Sequence, residues 1–246
     1  MSIPSGSEKL AVLIDADNAQ ASLVNEMLSE ISRYGTATIK RAYGDWTTPQ
    51  LSGWKSVLHQ QAIQPVQQFQ NTKGKNSSDS ALIIDAMDIL HSGNVEGFCL
   101  VSSDSDFTRL ATRIRESGYV VYGLGQEKTP DSFVNACDKF IFTEILNQQA
   151  SSETRSSRSA TQLEQMLRDA INATARENGW STLSAVGVSV QKSHPSFDSR
   201  NYGCSKLSEL VRKQPYIEMR DERMSGENTS ATMYYVRLKK GAEKTA

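Results

Sequence analysis

Short apolar runs alternate with amphipathic stretches between residues 9 and 145, and this alternation leaves few folds open to the chain. It predicts strands at KLAVLID, TATIKRAYG, AIQPVQQF, GFCLVSS, YVVYGLG and KFIFTEI. It predicts helices over 19–33, 49–60, 79–91 and 107–117. Strands that alternate with helices form crossover units, so we predict an α/β domain with a mainly parallel sheet covered on both faces.

A serine-rich segment divides the chain. Residues 148–160, QQASSETRSSRSA, contain no aliphatic side chain larger than alanine and cannot bury a face. We therefore predict a flexible linker at 148–160 between a domain at 1–147 and a second domain at 161–246.

The second domain has a different pattern. Helices are predicted over 163–178, 181–193 and 205–213, followed by strands YIEMR and MYYVRL around the polar loop DERMSGENTSA. Three helices followed by a hairpin predict a small winged helix-turn-helix domain. A small helical domain with an edge hairpin and no ligand stays open as the alternative.

Composition excludes several classes of protein. Hydrophobic side chains make up 38% of the 246 residues, which is enough for two cores. The longest apolar run covers only residues 10–14, so we expect a cytoplasmic protein without membrane association. The cysteines are far apart and form no CxxC pair, so reduced thiols are expected at Cys99, Cys137 and Cys204.

Charge is distributed unevenly between the two halves. Residues 1–150 contain 12 lysines and arginines against 17 aspartates and glutamates, whereas residues 161–246 contain 13 against 10. Carboxylates suit a metal site and a basic module attracts polyanions, but neither excess identifies a partner.

Aspartates gather where predicted strands end. Asp15 and Asp17 follow the first strand, Asp104 and Asp106 follow a later one, and Asp79 opens a helix. In parallel sheets ligands bind at the carboxyl ends of the strands. Two carboxylates about 4 Å apart repel by about 4 kcal/mol at an effective dielectric constant of 20, so a cation is expected among them. Asp106 is also a candidate helix cap.

Helical spacing separates Asp79 from the acidic residues that follow it. Asp85 lies about 240° around the helix from Asp79, so Asp79 can face the sheet edge alone. Asp88 is predicted to be a surface residue, and Asp85 is a candidate for supporting the site. Oxygen donors without histidine or thiolate are typical of Mg²⁺ or Mn²⁺ sites.

Other catalytic signatures are missing from the sequence. It contains no GxSxG, no complete P-loop and no third glycine for a dinucleotide fingerprint in GLGQEK. A metal-activated water that attacks phosphorus is the reaction that remains.

The first domain resembles the NYN family, a branch of the PIN-like ribonuclease superfamily. The resemblance covers residues 8–146 and rests on LIDADN, KGKNSSDSALIIDAMDIL, LVSSDSDFTRLATRIRESGYVVYGLG and SFVNACDKFIF. It implies an α/β/α sandwich with an acidic metal site and endonuclease activity on RNA.

The resemblance also implies roles for individual residues. Asp15, Asp79, Asp104 and Asp106 match the family's acidic metal-site positions, and Asn18 matches the polar residue that closes the first motif. Asp17 falls on a position that is often acidic. Further candidates orient a carboxylate or contact RNA: Ser102, Ser103, Lys73 and Lys75.

The second domain resembles the LOTUS module, also called OST-HTH, which is associated with RNA binding. The resemblance is carried by FDSRNYGCSKLSELVRKQPYIEMR, residues 197–220. It implies phosphate contacts by Arg200, Lys206, Arg212 and Lys213. The expected partner is single-stranded or structured RNA, and a homodimer stays open.

Together these features predict an Mg²⁺- or Mn²⁺-dependent ribonuclease with an RNA-binding module. One alternative is an RNA-binding adapter without catalysis. The other is an aspartyl-phosphate phosphatase, suggested by DxD after an apolar strand, although Ala19 stands where that class has threonine or valine.

Overall fold

The computed structural model describes residues 8–69, 77–146, 158–226 and 229–239. The chain divides into two compact units, Met1–Ala150 and Ser151–Ala246. Within the described residues, no helix combines the length and the apolar character that crossing a membrane requires.

The first unit is an α/β domain built around a six-stranded parallel sheet, as predicted. The strands have the spatial order β3-β2-β1-β4-β5-β6. In chain order the elements are β1 (Lys9–Asp15), α1 (Val24–Ile31), β2 (Thr36–Gly44), α2 (Trp54–Gln60), β3 (Gln64–Gln67), α3 (Ser77–Ser92), β4 (Gly97–Val101), α4 (Thr108–Glu116), β5 (Val120–Gly125), α5 (Asp131–Ala136) and β6 (Lys139–Phe142).

The central strand β1 is buried on both faces, which explains its continuous apolar sequence. Val12 and Ile14 pack in the core that contains α1 and α2, whereas Ala11 and Leu13 pack in the core that contains α3, α4 and α5. Alternate residues of one strand therefore hold the two helical layers against the sheet.

The first unit differs from the prediction in its short elements. Helix α5 was not predicted, because the six residues after Pro130 are too few to show a helical period. Helices α1 and α2 begin later than predicted, because short 3₁₀ turns at Ala21–Leu23 and Pro49–Leu51 precede them.

The second unit contains the three predicted helices and the predicted hairpin, and a further two-residue strand at Ser181–Thr182, where the start of a helix was predicted, makes the sheet three-stranded. Its strands have the order β7-β9-β8. The elements are α6 (Arg158–Thr174), β7 (Ser181–Thr182), α7 (Leu183–Ser193), α8 (Leu207–Arg212), β8 (Ile217–Gly226) and β9 (Thr229–Leu238). Leu167, Val186, Leu210 and Val236 lie in its separate core.

Two predicted boundaries in the second unit were wrong. Helix α6 begins at Arg158, inside the predicted linker, and ends at Thr174, earlier than predicted. The hairpin is longer than its apolar segments, because strand pairing continues through most of the polar loop as far as Gly226↔Thr229. Backbone hydrogen bonds, which need no apolar side chain, extend the ladder there. Residues 148–157 of the predicted linker lie outside the described residues.

Candidate metal centre

The carboxyl ends of β1 and β4 meet where the strand order changes direction. From β1 the chain continues to β2 on one side, and β4 lies on the other side. Ligands of open α/β sheets bind at such a switch point. Asp15 is the last residue of β1, and Ser102 directly follows β4.

Three of the predicted aspartates converge beside this switch point. One carboxylate oxygen each of Asp79, Asp104 and Asp106 lies within 4.8 Å of the other two. Asp79 is only 8% exposed, and it begins the stripe of α3 that continues with the buried Leu82 and Ala86. The packing of α3 against the sheet therefore carries the Asp79 carboxylate to the sheet edge.

The backbone after β4 places the other two carboxylates. Asp104 caps the 3₁₀ turn Ser105–Phe107, and its Oδ1 accepts a hydrogen bond of 2.9 Å from the backbone N–H of Asp106. The sequence suggested Asp106 as the cap, and this prediction was wrong because the turn begins two residues earlier. A carboxylate oxygen of Asp106 belongs to the cluster.

The cluster is electrostatically unfavourable without a cation. Burial, followed by the negative charges of Asp15, Asp104 and Asp106, raises the pKa of Asp79 to about 6. Among the described residues, no lysine or arginine forms an ion pair with Asp79 or Asp104. Three close carboxylate oxygens fit a hard divalent cation such as Mg²⁺ or Mn²⁺.

Asp15 lies outside this three-residue cluster, in contrast to its predicted place among the ligands. Its carboxylate is buried and accepts hydrogen bonds from Asn18 Nδ2 (2.7 Å), Ser102 Oγ (2.8 Å) and the backbone N–H of Asp17 (3.2 Å). Burial raises the pKa of Asp15, and the bonds from Ser102 and Asn18 oppose that rise. Asp15 thus organises the loops around the cluster.

Ser102 joins Asp15 to the cluster. Its hydroxyl donates to Asp15 and accepts a 3.1 Å hydrogen bond from the backbone N–H of Asp104. The predicted role of orienting a carboxylate fits this geometry. The hydroxyl of Ser103 instead accepts a bond from the backbone N–H of Gln126, in the loop after β5.

Asp17 links the loop after β1 to the start of α3. Its Oδ2 accepts a 3.0 Å hydrogen bond from the hydroxyl of Ser78, the neighbour of Asp79. The two other acidic residues of α3 lie elsewhere. Asp85 pairs with Arg41 and Tyr43, and Asp88 is exposed.

The predicted RNA contacts are divided among several environments. Arg200 forms an ion pair with Asp198, and Lys213 forms one with Glu209. Within the described part of the chain, Lys206 and Arg212 are exposed and form no ion pair. Lys73 and Lys75 lie outside the described residues.

Sequence reasoning missed the residues that follow β2 at the same sheet edge. Asp45 is buried, and its Oδ1 accepts hydrogen bonds from the backbone and hydroxyl of Thr47 and from Gln67 Nε2. Trp46 follows it. The signal was present in YGDW, because a carboxylate directly follows the end of a strand there as well.

Comparisons with known proteins agree with the two-unit architecture. The family model described as NYN domain matches residues 9–147, and the model described as OST-HTH/LOTUS domain matches residues 155–228. No match was found among curated proteins.

Solved structures resemble single parts of the chain. A protein of unknown function from Vibrio parahaemolyticus is 20% identical over 56% of this chain and 94% of its own, with a TM-score of 0.48. A fragment of a Chromobacterium violaceum protein is 36% identical over 34% of this chain and 86% of its own, with a TM-score of 0.27. An uncharacterized protein from Nitrosomonas europaea is 24% identical over 41% of this chain and 90% of its own, with a TM-score of 0.29.

Proposed function

Since this chain belongs to the NYN domain family of PIN-like nucleases, we propose that it is a metal-dependent endoribonuclease that hydrolyses RNA phosphodiester bonds. The observation that carries the proposal is the convergence of Asp79, Asp104 and Asp106 at the sheet's switch point. The family match alone says nothing about these carboxylates, whereas their close approach supports a role in holding a cation.

Some residues of the site would hold the metal ion, and others would position those ligands. Asp79, Asp104 and Asp106 would hold Mg²⁺ or Mn²⁺, and such an ion supplies Lewis acidity for attack of water on phosphorus. The hydrogen bond between Asn18 and Asp15 holds the loop after β1 in place. The Ser102 hydroxyl bonds both to Asp15 and to the backbone N–H of Asp104, which fixes the position of Asp104 relative to that loop. Partners of this kind fix the orientation of metal ligands. No side-chain nucleophile is needed.

The burial of Asp15 argues against the phosphatase alternative. In that class the first aspartate of DxD attacks phosphorus and becomes phosphorylated. Asp15 is only 1% exposed, and both its oxygens accept hydrogen bonds. Its carboxylate is therefore poorly placed to reach a substrate.

The second unit supplies the RNA-binding part of the proposal, because the OST-HTH/LOTUS match connects it with RNA. Lys206 and Arg212 are our candidates for phosphate contact, since both are exposed at α8. Arg200 is a weaker candidate, because Asp198 already neutralises its charge.

We expect the purified chain to cleave single-stranded and hairpin RNA with Mn²⁺ or Mg²⁺ and to leave it intact with EDTA. The measurement is the appearance of internal cleavage products from end-labelled RNA on a denaturing gel. RNA that is bound but stays intact with every metal would support the adapter alternative and contradict the nuclease.

Replacing Ser102 by alanine is expected to lower the cleavage rate by about 10- to 100-fold, the usual loss for a residue that supports a metal ligand. The change removes the hydroxyl between Asp15 and the backbone of Asp104. A higher Mn²⁺ concentration should restore part of the rate, which a general folding defect would not allow. Ser117→Ala, at an exposed hydroxyl beyond α4, is the control and should keep the full rate.

A further inference from the structure

An open groove of about 980 Å³ lies along α2 and the edge strand β3. Its lining is partly aromatic and apolar and includes Trp46, Pro49, Leu51, Lys55, His59 and Ile63. A small-molecule site buries most of its ligand, whereas this groove is open to solvent and leaves room for a chain that continues beyond it.

The groove adjoins the acidic loop through Gly44. A Cβ atom on Gly44 would lie 2.7 Å from Cδ1 of Leu51, which lines the groove, and 3.8 Å from Oδ1 of Asp17. Asp17 in turn binds the hydroxyl of Ser78, beside Asp79. The end of the groove at Leu51 therefore lies close to the loop that carries Asp17.

The polar groups of the groove suit a phosphate backbone. Lys55 and His59 lie one turn apart on α2, so both reach the same side of the groove. Neither forms an ion pair with a described residue. Ser52 also lines the groove, and a serine hydroxyl can donate to a phosphate oxygen.

Trp46 is held in place before any ligand binds. Its indole N–H donates a 3.1 Å hydrogen bond to the carbonyl of Val66, and its backbone N–H donates a 3.0 Å bond to Gln67 Oε1. Its ring packs edge to face on Trp54 at a centroid distance of 6.3 Å. A fixed, half-buried indole is a suitable platform for stacking of a nucleobase.

An extended peptide fits the groove less well than a nucleic acid. A peptide would add to the sheet by pairing with β3, but Pro65 lies within that four-residue strand and lacks a backbone donor. Lys55 also favours an anionic chain over an apolar one.

We propose that this groove binds the single-stranded RNA flanking the scissile phosphate, with one base stacked on Trp46 and a backbone phosphate held by Lys55 and His59. This inference rests on the proposed nuclease function. It adds that the RNA is single-stranded on the side of the scissile phosphate that lies in the groove.

Photo-crosslinking tests the groove independently of cleavage. We would use the full chain carrying Asp104→Asn, with Mn²⁺ and a 12-nucleotide uridine RNA that contains 4-thiouridine, and map the crosslinks by mass spectrometry. We expect a crosslink in the tryptic peptide that contains Trp46. Trp46→Leu should lower its yield at least about fivefold through lost stacking, and Lys55→Glu should lower it similarly by reversing the charge at a phosphate contact.

Lys9→Glu is the matched control, because Lys9 is exposed at the amino end of β1, opposite the acidic edge. Crosslinks confined to residues 158–239, or equal yields for Lys55→Glu and Lys9→Glu, would contradict RNA binding in the groove.

Lys55 is exposed, so its variant tests the proposal even if Trp46→Leu fails to fold. Cleavage by the wild-type chain without a groove crosslink would leave the nuclease standing and remove only this inference. A groove crosslink without cleavage by the wild-type chain would support RNA binding in the groove and contradict the nuclease function.

Discussion

Asp104→Asn is expected to lower RNA cleavage by more than about 100-fold, because Asp104 is one of three carboxylates that meet and loss of even an outer partner costs about 10- to 100-fold. The variant keeps an oxygen at Oδ1, so it can still cap the turn Ser105–Phe107. The folded structure should therefore persist. The measurement is the rate of product formation at saturating Mn²⁺, together with the far-UV circular dichroism spectrum and RNA affinity.

Asp88→Asn provides the matched control for this prediction. Asp88 is exposed on α3, the helix that also carries Asp79, and its replacement makes the same change in net charge. We expect it to cleave at the wild-type rate. Undiminished, Mn²⁺-dependent cleavage by carefully purified Asp104→Asn protein would contradict the assignment of the site.

The sequence predicted the sheet well because burial on two faces leaves a strong pattern. Strands β1, β4 and β5 are short, mostly apolar and followed by polar residues, whereas the interior strand β2 is longer and only its last three residues are buried. Short elements were harder to predict. Helix α5 has six residues, and the polar part of the β8–β9 hairpin is stabilised by backbone pairing, which side-chain patterns do not reveal.

The site was predicted at the level of the sheet edge but not at the level of individual contacts. Topology brings Asp15, Asp79 and Asp104 to one edge, and the order of strands and helices is enough to infer that. Which carboxylates share a cation depends on local hydrogen bonds. Asp15 is held by Asn18 and Ser102, and Asp104 is held at a turn whose start the sequence does not fix.

The same limit explains why the loop after β2 was missed. The rule that ligands bind after the strands applies to Asp45 and Trp46 as much as to Asp15. However, the Asp45 carboxylate already accepts hydrogen bonds from Thr47 and Gln67, and Gln67 lies on the neighbouring strand β3. Only the fold shows that Gln67 joins Asp45 to the backbone of Trp46.

Asp79→Asn is expected to raise the stability of the metal-free protein while it removes cleavage. The raised pKa of Asp79, about 6 against 3.8 for a free side chain, means that the folded state disfavours the charged carboxylate. Protonation removes this penalty, so the free energy of unfolding falls as the pH rises from about 4 to about 6 and stays lower above that range. A shift of this size corresponds to at most about 3 kcal/mol.

The measurement is the melting temperature of wild type and Asp79→Asn in EDTA at pH 4 and at pH 7.5. At pH 7.5 we expect the variant to melt about 3–10 °C higher, and at pH 4 the difference should nearly vanish. Mn²⁺ should raise the melting temperature of the wild type at pH 7.5, because it neutralises the clustered carboxylates, and should have little effect on Asp79→Asn. Asp88→Asn should match the wild type in all these conditions.

If Asp79→Asn raises the melting temperature of the metal-free protein and also abolishes cleavage, Asp79 acts as a metal ligand and not as a residue that stabilises the fold. If Asp79 served the fold, for example by capping α3, its replacement would lower the melting temperature with and without Mn²⁺. If it serves the cation, the carboxylate destabilises the metal-free chain, and binding of the ion reverses that effect. A melting temperature of Asp79→Asn below that of the wild type in EDTA at pH 7.5 would therefore contradict the electrostatic account of the cluster, whatever the outcome of the cleavage assay.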